Sequence, residues 1–249
     1  MNILARLVVL VLLLVPVIPL SVQADDDLAA VRKRLEQRFT DLTISDLRAA
    51  PIPGLYELTF GSRIVLVTGD GRYLIQGDLI DLESRRNLTQ EQHSKLILKS
   101  IEAIGEKNMV VIGPANAKRT ITVFTDVDCP YCARLHQEVP KLNKAGVKVR
   151  YLLYPRAGKG SETYKKSVSV WCAKDRIKAL GAAKSGGKIE PRTCANPVDE
   201  HLKLGAEVGV EGTPTLVFDD GRIVPGFAPA DKLLAALGLA NGEKTAAPQ

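Results

Sequence analysis

Only one stretch of this chain is both long and apolar, Leu7 to Leu20, and it lies at the N-terminus. No later segment approaches the ~20 apolar residues a spanning helix needs, which excludes a bundle of membrane helices for the body of the chain. Aromatic residues are scarce at 5 % and do not interleave with basic clusters. Runs such as Arg32-Lys33-Arg34 sit on an ordinary amphipathic helical pattern, so the formal charge of +6 reads as solubility and no nucleic-acid partner is expected. There are three histidines and four cysteines. A closed zinc site wants four ligands and usually a second close cysteine pair, which is missing here. His136, one helical turn beyond Cys132, could add a third ligand to Cys129 and Cys132, but no fourth is in place. No metal and no cofactor beyond a redox-active dithiol is therefore expected. His93 and His201 lie in polar helical contexts and are expected at the surface.

What is present begins with an export signal. Arg6 precedes the apolar run, and Val22-Gln23-Ala24 ends it with residues suited to a signal peptidase, so residues 1–24 read as a cleaved signal peptide. The mature chain, about 225 residues, would then fold in an oxidising space where disulfides persist, with a charge of +5 because the signal removes one arginine and no acid.

Leu28, Val31, Leu35 and Phe39 recur at helical spacing. A β-rich stretch from Leu55 to Leu82 follows, with strands Ile64 to Val67 and Tyr73 to Ile75 around Thr68-Gly69-Asp70-Gly71, a hairpin signal. This α+β unit, without cysteine or an acid–base cluster, is expected to be structural. Thr89-Gln90-Glu91-Gln92 fits a capping box opening a helix to about Lys107, with Ile97, Ile101 and Ile104 on one face. That stripe suits either a stiff spacer or a core helix of the second domain. From Thr120 the order is strand, helix, strand Val147 to Leu153, helices Glu162 to Ala173 and Ile177 to Ala183, and a helix after Pro197. A hairpin around Asp219-Asp220-Gly221 and a helix Asp231 to Leu237 complete it. Strand, helix and strand, a helical insertion, then hairpin and helix is the order of a thioredoxin-like α/β fold, with a polar tail after Asn241.

Cys129-Pro130-Tyr131-Cys132 falls at the strand-to-helix junction, where backbone N–H groups and the helix dipole favour an ionised sulfur. Lowering a thiol pKa by about two units raises its thiolate fraction at neutral pH ~25-fold, of which weakened nucleophilicity returns ~8-fold. The larger effect is that the same sulfur leaves readily, so a mixed disulfide resolves fast. A purely structural disulfide across so short a loop would stabilise little. Cys172 and Cys194 remain in the helical insertion. Paired, they would contribute roughly 3 kcal/mol on the chain-entropy model, and they read as structural, the alternative being a second redox centre.

Taken together, Phe124-Thr125-Asp126, Trp171-Cys172-Ala173-Lys174-Asp175, Gly209-Val210-Glu211-Gly212-Thr213-Pro214 and Val224-Pro225-Gly226 resemble the DsbC type of bacterial periplasmic protein disulfide isomerase over essentially the whole mature chain. The resemblance implies a cystatin-like dimerisation domain at 25–87, a linker helix at 88–110, a thioredoxin-like catalytic domain at 111–240 and a flexible tail at 241–249. It implies a homodimer with an apolar cleft that also holds unfolded chains as a chaperone. Cys129 would be the nucleophile and Cys132 the resolving cysteine, with Tyr131, Thr213 and a cis Pro214 contacting substrate. Cys172 and Cys194 would match the family's structural disulfide. Partners would be exported proteins with wrong disulfides and a membrane reductase of the DsbD type. Two departures stand out. DsbC-type motifs typically carry Gly-Tyr, whereas Pro130-Tyr131 is the pair of the related DsbG type, which generally lacks the second cysteine pair. Asp128 could cap the helix, but its charge would oppose thiolate formation. The rival expectations are a DsbG-like sulfenic-acid reductase and a non-catalytic holdase.

Overall fold

The computed structural model describes residues 21–39, 44, 46–60 and 63–239. Residues 1–20 of the expected signal peptide and the expected tail 241–249 lie outside them. Among the described residues no helix is long and apolar enough to cross a membrane. The chain divides into two compact units, residues up to Leu58 with Val65–Ile75, and Thr59–Ile64 with Gln76 onward.

In the first unit, helix α1 (Ser21–Arg38) precedes strands β1 (Asp46–Ala49), β2 (Leu55–Phe60), β3 (Arg63–Thr68) and β4 (Leu74–Ile75), which form one sheet in that order. Val31 and Leu35, one turn apart, are buried, as are Leu47, Leu58, Val65, Leu66 and Val67. Arg34 and Arg38 of α1 donate to Gly69 O and Gly71 O of the β3–β4 turn at 2.7 and 2.9 Å. Asp70 holds that turn, accepting from the Thr68 hydroxyl and from Arg72 N, while Gly71 takes the positive φ of +66° that the hairpin requires.

The second unit opens with a short hairpin, β5 (Ile80–Asp81) and β6 (Arg86–Asn87), and helix α2 (Leu88–Ile104). After a 3-10 turn come β7 (Val110–Ile112), β8 (Arg119–Thr125), α3 (Pro130–Lys144), β9 (Val147–Leu153), α4 (Glu162–Trp171), α5 (Arg176–Lys184), α6 (Val198–Glu207), β10 (Thr215–Phe218), β11 (Ile223–Pro225) and α7 (Ala230–Ala236). The five long-range strands form a sheet of order β11-β10-β8-β9-β7. β8 and β9 are parallel, from Arg119 opposite Val147 to Thr125 opposite Leu153, with α3 as the crossover, and the other pairings are antiparallel.

Alternation along the central strands builds two cores. Ile121, Val123, Val149, Tyr151, Leu216 and Phe218 face α3, α4, α5 and α7, whereas Phe124, Leu152 and Val217 face α2 and α6. Ile97 and Ile101 of α2 are buried in the second of these cores, and Arg150 of β9 pairs with Glu102 at 2.8 Å. α2 also lies so close to the β10–β11 turn that a side chain at Gly221 (φ +82°) would meet the Ser94 backbone. The helix that the sequence left between spacer and core element is thus packed on the second unit's sheet.

Three details differ from expectation. α2 is capped by Asn87 and not by Thr89: Asn87, extended at the end of β6, accepts from Gln90 N at 2.9 Å, while the Thr89 hydroxyl accepts from Leu79 N. β7 is an additional antiparallel edge strand, formed just before the Gly113-Pro114 break. His201 is not at the surface but fully buried. Its Nδ1 accepts from Leu153 N at 3.1 Å, so its Nε2 carries the proton and donates to Asn108 O at 2.8 Å. Burial pushes its pKa down to about 4, so the ring is neutral at pH 7.

Candidate active site

β8 delivers the motif to the C-terminal edge of the sheet, and the chain turns into α3 with Cys129 as N-cap in extended geometry (φ −80°, ψ 123°). Pro130 occupies the first turn, where its fixed φ suits a helix start and its missing N–H costs nothing. Cys129 and Cys132 are both free thiols. Their surroundings differ. Cys129 is 2 % exposed and Cys132 is completely covered, whereas Tyr131 between them is 55 % exposed.

Burial works against ionising Cys129, but the Thr213 side chain and the N–H groups of Cys132 and Tyr131 outweigh it and hold its pKa below the ordinary thiol value. In the thiol state Cys129 donates to Thr213 O at 3.2 Å. The Thr213 hydroxyl, buried and without a hydrogen-bond partner among the described residues, is available to donate to the thiolate once the proton leaves. Burial pushes the Cys132 thiol the other way, up, against an opposing pull from Lys184, the Thr125 hydroxyl and Asp126 N–H. The two sulfurs are thus pulled in opposite directions, Cys129 toward the thiolate and Cys132 toward the thiol.

The Thr213–Pro214 peptide is cis. It brings Thr213 against Cys129, and Pro214 O accepts from Gly226 N at 2.8 Å. Thr213, Pro214, Thr215, Pro225 and Gly226 line a groove there. The Arg134 guanidinium lies over the rings of both Tyr131 and Phe227, 5.9 and 4.5 Å from their centroids.

Asp128 does not cap α3, because Cys129 holds that position, and the charge expected to oppose the thiolate is paired with Lys166 at 2.5 Å. Asp126 is the buried acid of this loop. Its carboxylate loses solvation but accepts from Arg156 N, Asp128 N, the Thr163 hydroxyl and Arg156 Nε at 2.9–3.1 Å, which keep its pKa below the usual carboxylate range. His136 turns its ring to Tyr151, Nδ1 to hydroxyl 3.0 Å, and burial first, then Lys184, lowers its pKa.

Cys172 and Cys194 are joined by a disulfide with Cα atoms 5.8 Å apart, tying the end of α4 to the segment after α5. Sequence reasoning missed Lys184 and the unpartnered Thr213 hydroxyl. A lysine ending a helix looks like an ordinary dipole partner, and only the sequence Leu180, Ala183, Lys184 on one buried face signals otherwise.

Comparison with known proteins gives concordant matches. Residues 106–241 match a thioredoxin-like domain and residues 22–90 match the disulfide bond isomerase protein N-terminal domain. The thiol:disulfide interchange protein DsbC of Escherichia coli (strain K12) is 36 % identical over 213 residues, covering 85 % of this chain and 86 % of that protein. DsbC of Haemophilus influenzae is 34 % identical over 217 residues, covering 87 % and 92 %. Among solved structures, a disulfide interchange protein from Neisseria gonorrhoeae matches with 34 % identity and a TM-score of 0.49, covering 54 % of this chain and 96 % of that one.

Proposed function

Since the chain belongs to the DsbC family of thiol:disulfide interchange proteins, we propose that Cys129 is the attacking sulfur and Cys132 the resolving one in an isomerase of exported proteins. The observation that carries this reading is the opposed environment of the two sulfurs, donors around Cys129 and burial around Cys132. The Cys129 thiolate attacks one sulfur of a wrong substrate disulfide. That S–S bond breaks, a mixed disulfide forms, and the second substrate sulfur leaves as a thiolate that takes a proton from solvent.

Two exits follow. A substrate thiolate can attack its own sulfur in the mixed disulfide, forming a new substrate disulfide and returning Cys129 as thiolate, with no net redox change. Alternatively Cys132 attacks Cys129, releasing reduced substrate and leaving Cys129–Cys132 oxidised, which consumes two electrons that a membrane reductase of the DsbD type would restore. Ionisation of Cys129 also removes its S–H from Thr213 O, so that carbonyl can accept from an extended substrate N–H beside the cis Pro214. Tyr131 offers an exposed ring to apolar side chains.

The compartment is the periplasm, supported by the Arg6 and Leu7–Leu20 signal pattern and by the Cys172–Cys194 disulfide. The working form is a homodimer associating through the N-terminal unit. A DsbG-like sulfenic-acid reductase is the second reading, favoured by Pro130-Tyr131 alone.

Recovery of a scrambled disulfide substrate separates these. Wild type should restore activity, Cys129→Ala should fall to background, and Cys132→Ala should retain recovery wherever substrate thiols are present. Full recovery by Cys129→Ala would leave only a holdase. Reduction of a protein sulfenic acid without unscrambling would favour the DsbG-like reading.

A further inference from the structure

Beneath the two sulfurs lies a titratable group that the exchange reaction as described does not use. Lys184 is 8 % exposed, and its Nζ donates to the Thr125 hydroxyl at 2.6 Å and to Asp126 O at 2.7 Å. Both partners are neutral oxygens, and the nearby carboxylates are held elsewhere, Asp126 by Arg156 and Thr163 and Asp128 by Lys166. Among the described residues no carboxylate pairs with Lys184, so burial makes its ammonium form costly and leaves the neutral amine as a ready proton acceptor. The Thr125 hydroxyl that it holds faces the Cys132 sulfur.

We propose that Lys184 and Thr125 form a proton relay that activates Cys132, the sulfur that closes on the mixed disulfide. This rests on Cys129 and Cys132 being the exchanging pair. A hydroxyl has one proton to give and lone pairs to accept with, so it can accept from a thiol while donating to an amine, or accept from an ammonium while donating to a thiolate. In the resolving step the Cys132 proton passes to Thr125 Oγ1, and the hydroxyl proton passes on to the neutral amine of Lys184. The Cys132 thiolate attacks Cys129 Sγ, the bond from Cys129 to the substrate sulfur breaks, and its electron pair leaves on the substrate, which takes a proton from solvent. Cys129 and Cys132 end oxidised as a disulfide, and the substrate sulfur ends reduced. The new ammonium returns its proton by the same route when the disulfide is next reduced. Lys184 touches no reacting atom and acts through Thr125.

Burial acts on both ends of this transfer, lowering the Lys184 pKa and raising that of Cys132. The other groups facing the relay are Cys129 and His136 of α3, Tyr151 of β9, Asp126 and Asp128 of the β8–α3 loop, and Arg156 after β9. Burial keeps Tyr151 protonated and His136 neutral. Neither supplies a competing charge at neutral pH.

The test follows the reduced mature protein through its reaction with one equivalent of 5,5′-dithiobis(2-nitrobenzoate). The first thionitrobenzoate released reports attack by Cys129, and the second reports closure by Cys132. Lys184→Met should slow the second release about tenfold or more at pH 7, with the deficit closing as pH rises and hydroxide ionises Cys132 directly. The first release should change much less. Thr125→Val should reproduce the slow second phase. In a Cys129→Ser background, the pH midpoint for alkylation of Cys132 by iodoacetamide should rise in Lys184→Met, because loss of the cation disfavours the thiolate. Lys184→Gln repeats the measurement if the methionine variant does not fold. An unchanged second phase and an unchanged Cys132 midpoint would overturn the role of Lys184, and a normal second phase in Thr125→Val would overturn the relay. A second phase that persisted in Cys132→Ser would instead show that the exchanging pair itself is misassigned.

Discussion

In the N-terminal unit Ile52, Tyr73, Leu74 and Ile75 are 43–57 % exposed, whereas every apolar residue of β8, β9 and β10 in the second unit is buried. β4, which carries Leu74 and Ile75, is also the last strand of its sheet and, among the described residues, pairs only with β3. An edge strand with open apolar side chains is a surface that wants covering. The second unit covers both faces of its five-stranded sheet with helices, and its exposed large apolar residues lie off that sheet, at Ile80 and Leu82 of the β5–β6 hairpin, Tyr131 at the cysteines and Ile177 of α5. On the function proposed above, association falls to the unit that has no cysteine and thiol chemistry to the unit whose sheet is closed on both faces.

The sharpest way to break this contrast is at the sulfurs. Cys129 left alone in Cys132→Ser should react with iodoacetamide at pH 7 faster than Cys132 left alone in Cys129→Ser, by a factor on the order of 10² to 10³. Equal rates would mean that burial and donors do not distinguish them. Next come two effects on the second unit's stability, both readable through Trp171, the chain's single tryptophan, which lies in that unit. Replacing Cys172 and Cys194 with alanine should lower the urea unfolding free energy by roughly 3 kcal/mol. Activity in folded protein should persist, and an unchanged midpoint would deny the bond a structural role.

His201 makes the same unit acid-sensitive. Its folded pKa of about 4 lies below the ordinary value, so between pH 6.5 and 4 the unfolded chain binds the extra proton. Its contribution is complete above that window and is lost as pH falls through it, by about 3 kcal/mol at pH 4. Unfolding monitored by Trp171 should lose that part of its pH slope in His201→Gln, and an identical slope would remove the assignment. The smallest effect concerns association. Leu74→Asp should weaken the dimer about 30-fold in sedimentation, corresponding to about 2 kcal/mol for one buried leucine, with thiol reactivity unchanged. An unchanged dissociation constant would move the interface away from β4.

The thioredoxin-like half was readable because its signals are local and redundant. β9 runs over Val147–Leu153, and α3 opens at the cysteine motif because proline and the strand end coincide there. Short elements were not readable. β7 is three residues long and owes its existence to β9 beside it, and the α2 cap depends on Asn87 being extended by β6. His201 and Lys184 escaped for one reason: each is a polar residue whose burial is decided by tertiary packing and not by the residues beside it on its helix. The pair Cys172 and Cys194 was legible by arithmetic, but what it ties together was not, since the chain from α4 through α5 to Cys194 becomes a bracketed segment only in three dimensions.

That bracketing bond has a consequence for how the protein is made. Four cysteines admit three pairings, and in only one of these do Cys172 and Cys194 find each other while the working thiols are left as a pair. The right partners are consecutive in order of emergence, Cys129 then Cys132, Cys172 then Cys194. A chain entering an oxidising compartment N-terminus first, and pairing each cysteine with the next to arrive, reaches the native arrangement unaided. Consecutive pairing in order of emergence is therefore enough to form the Cys172–Cys194 bond and to leave Cys129 and Cys132 to each other.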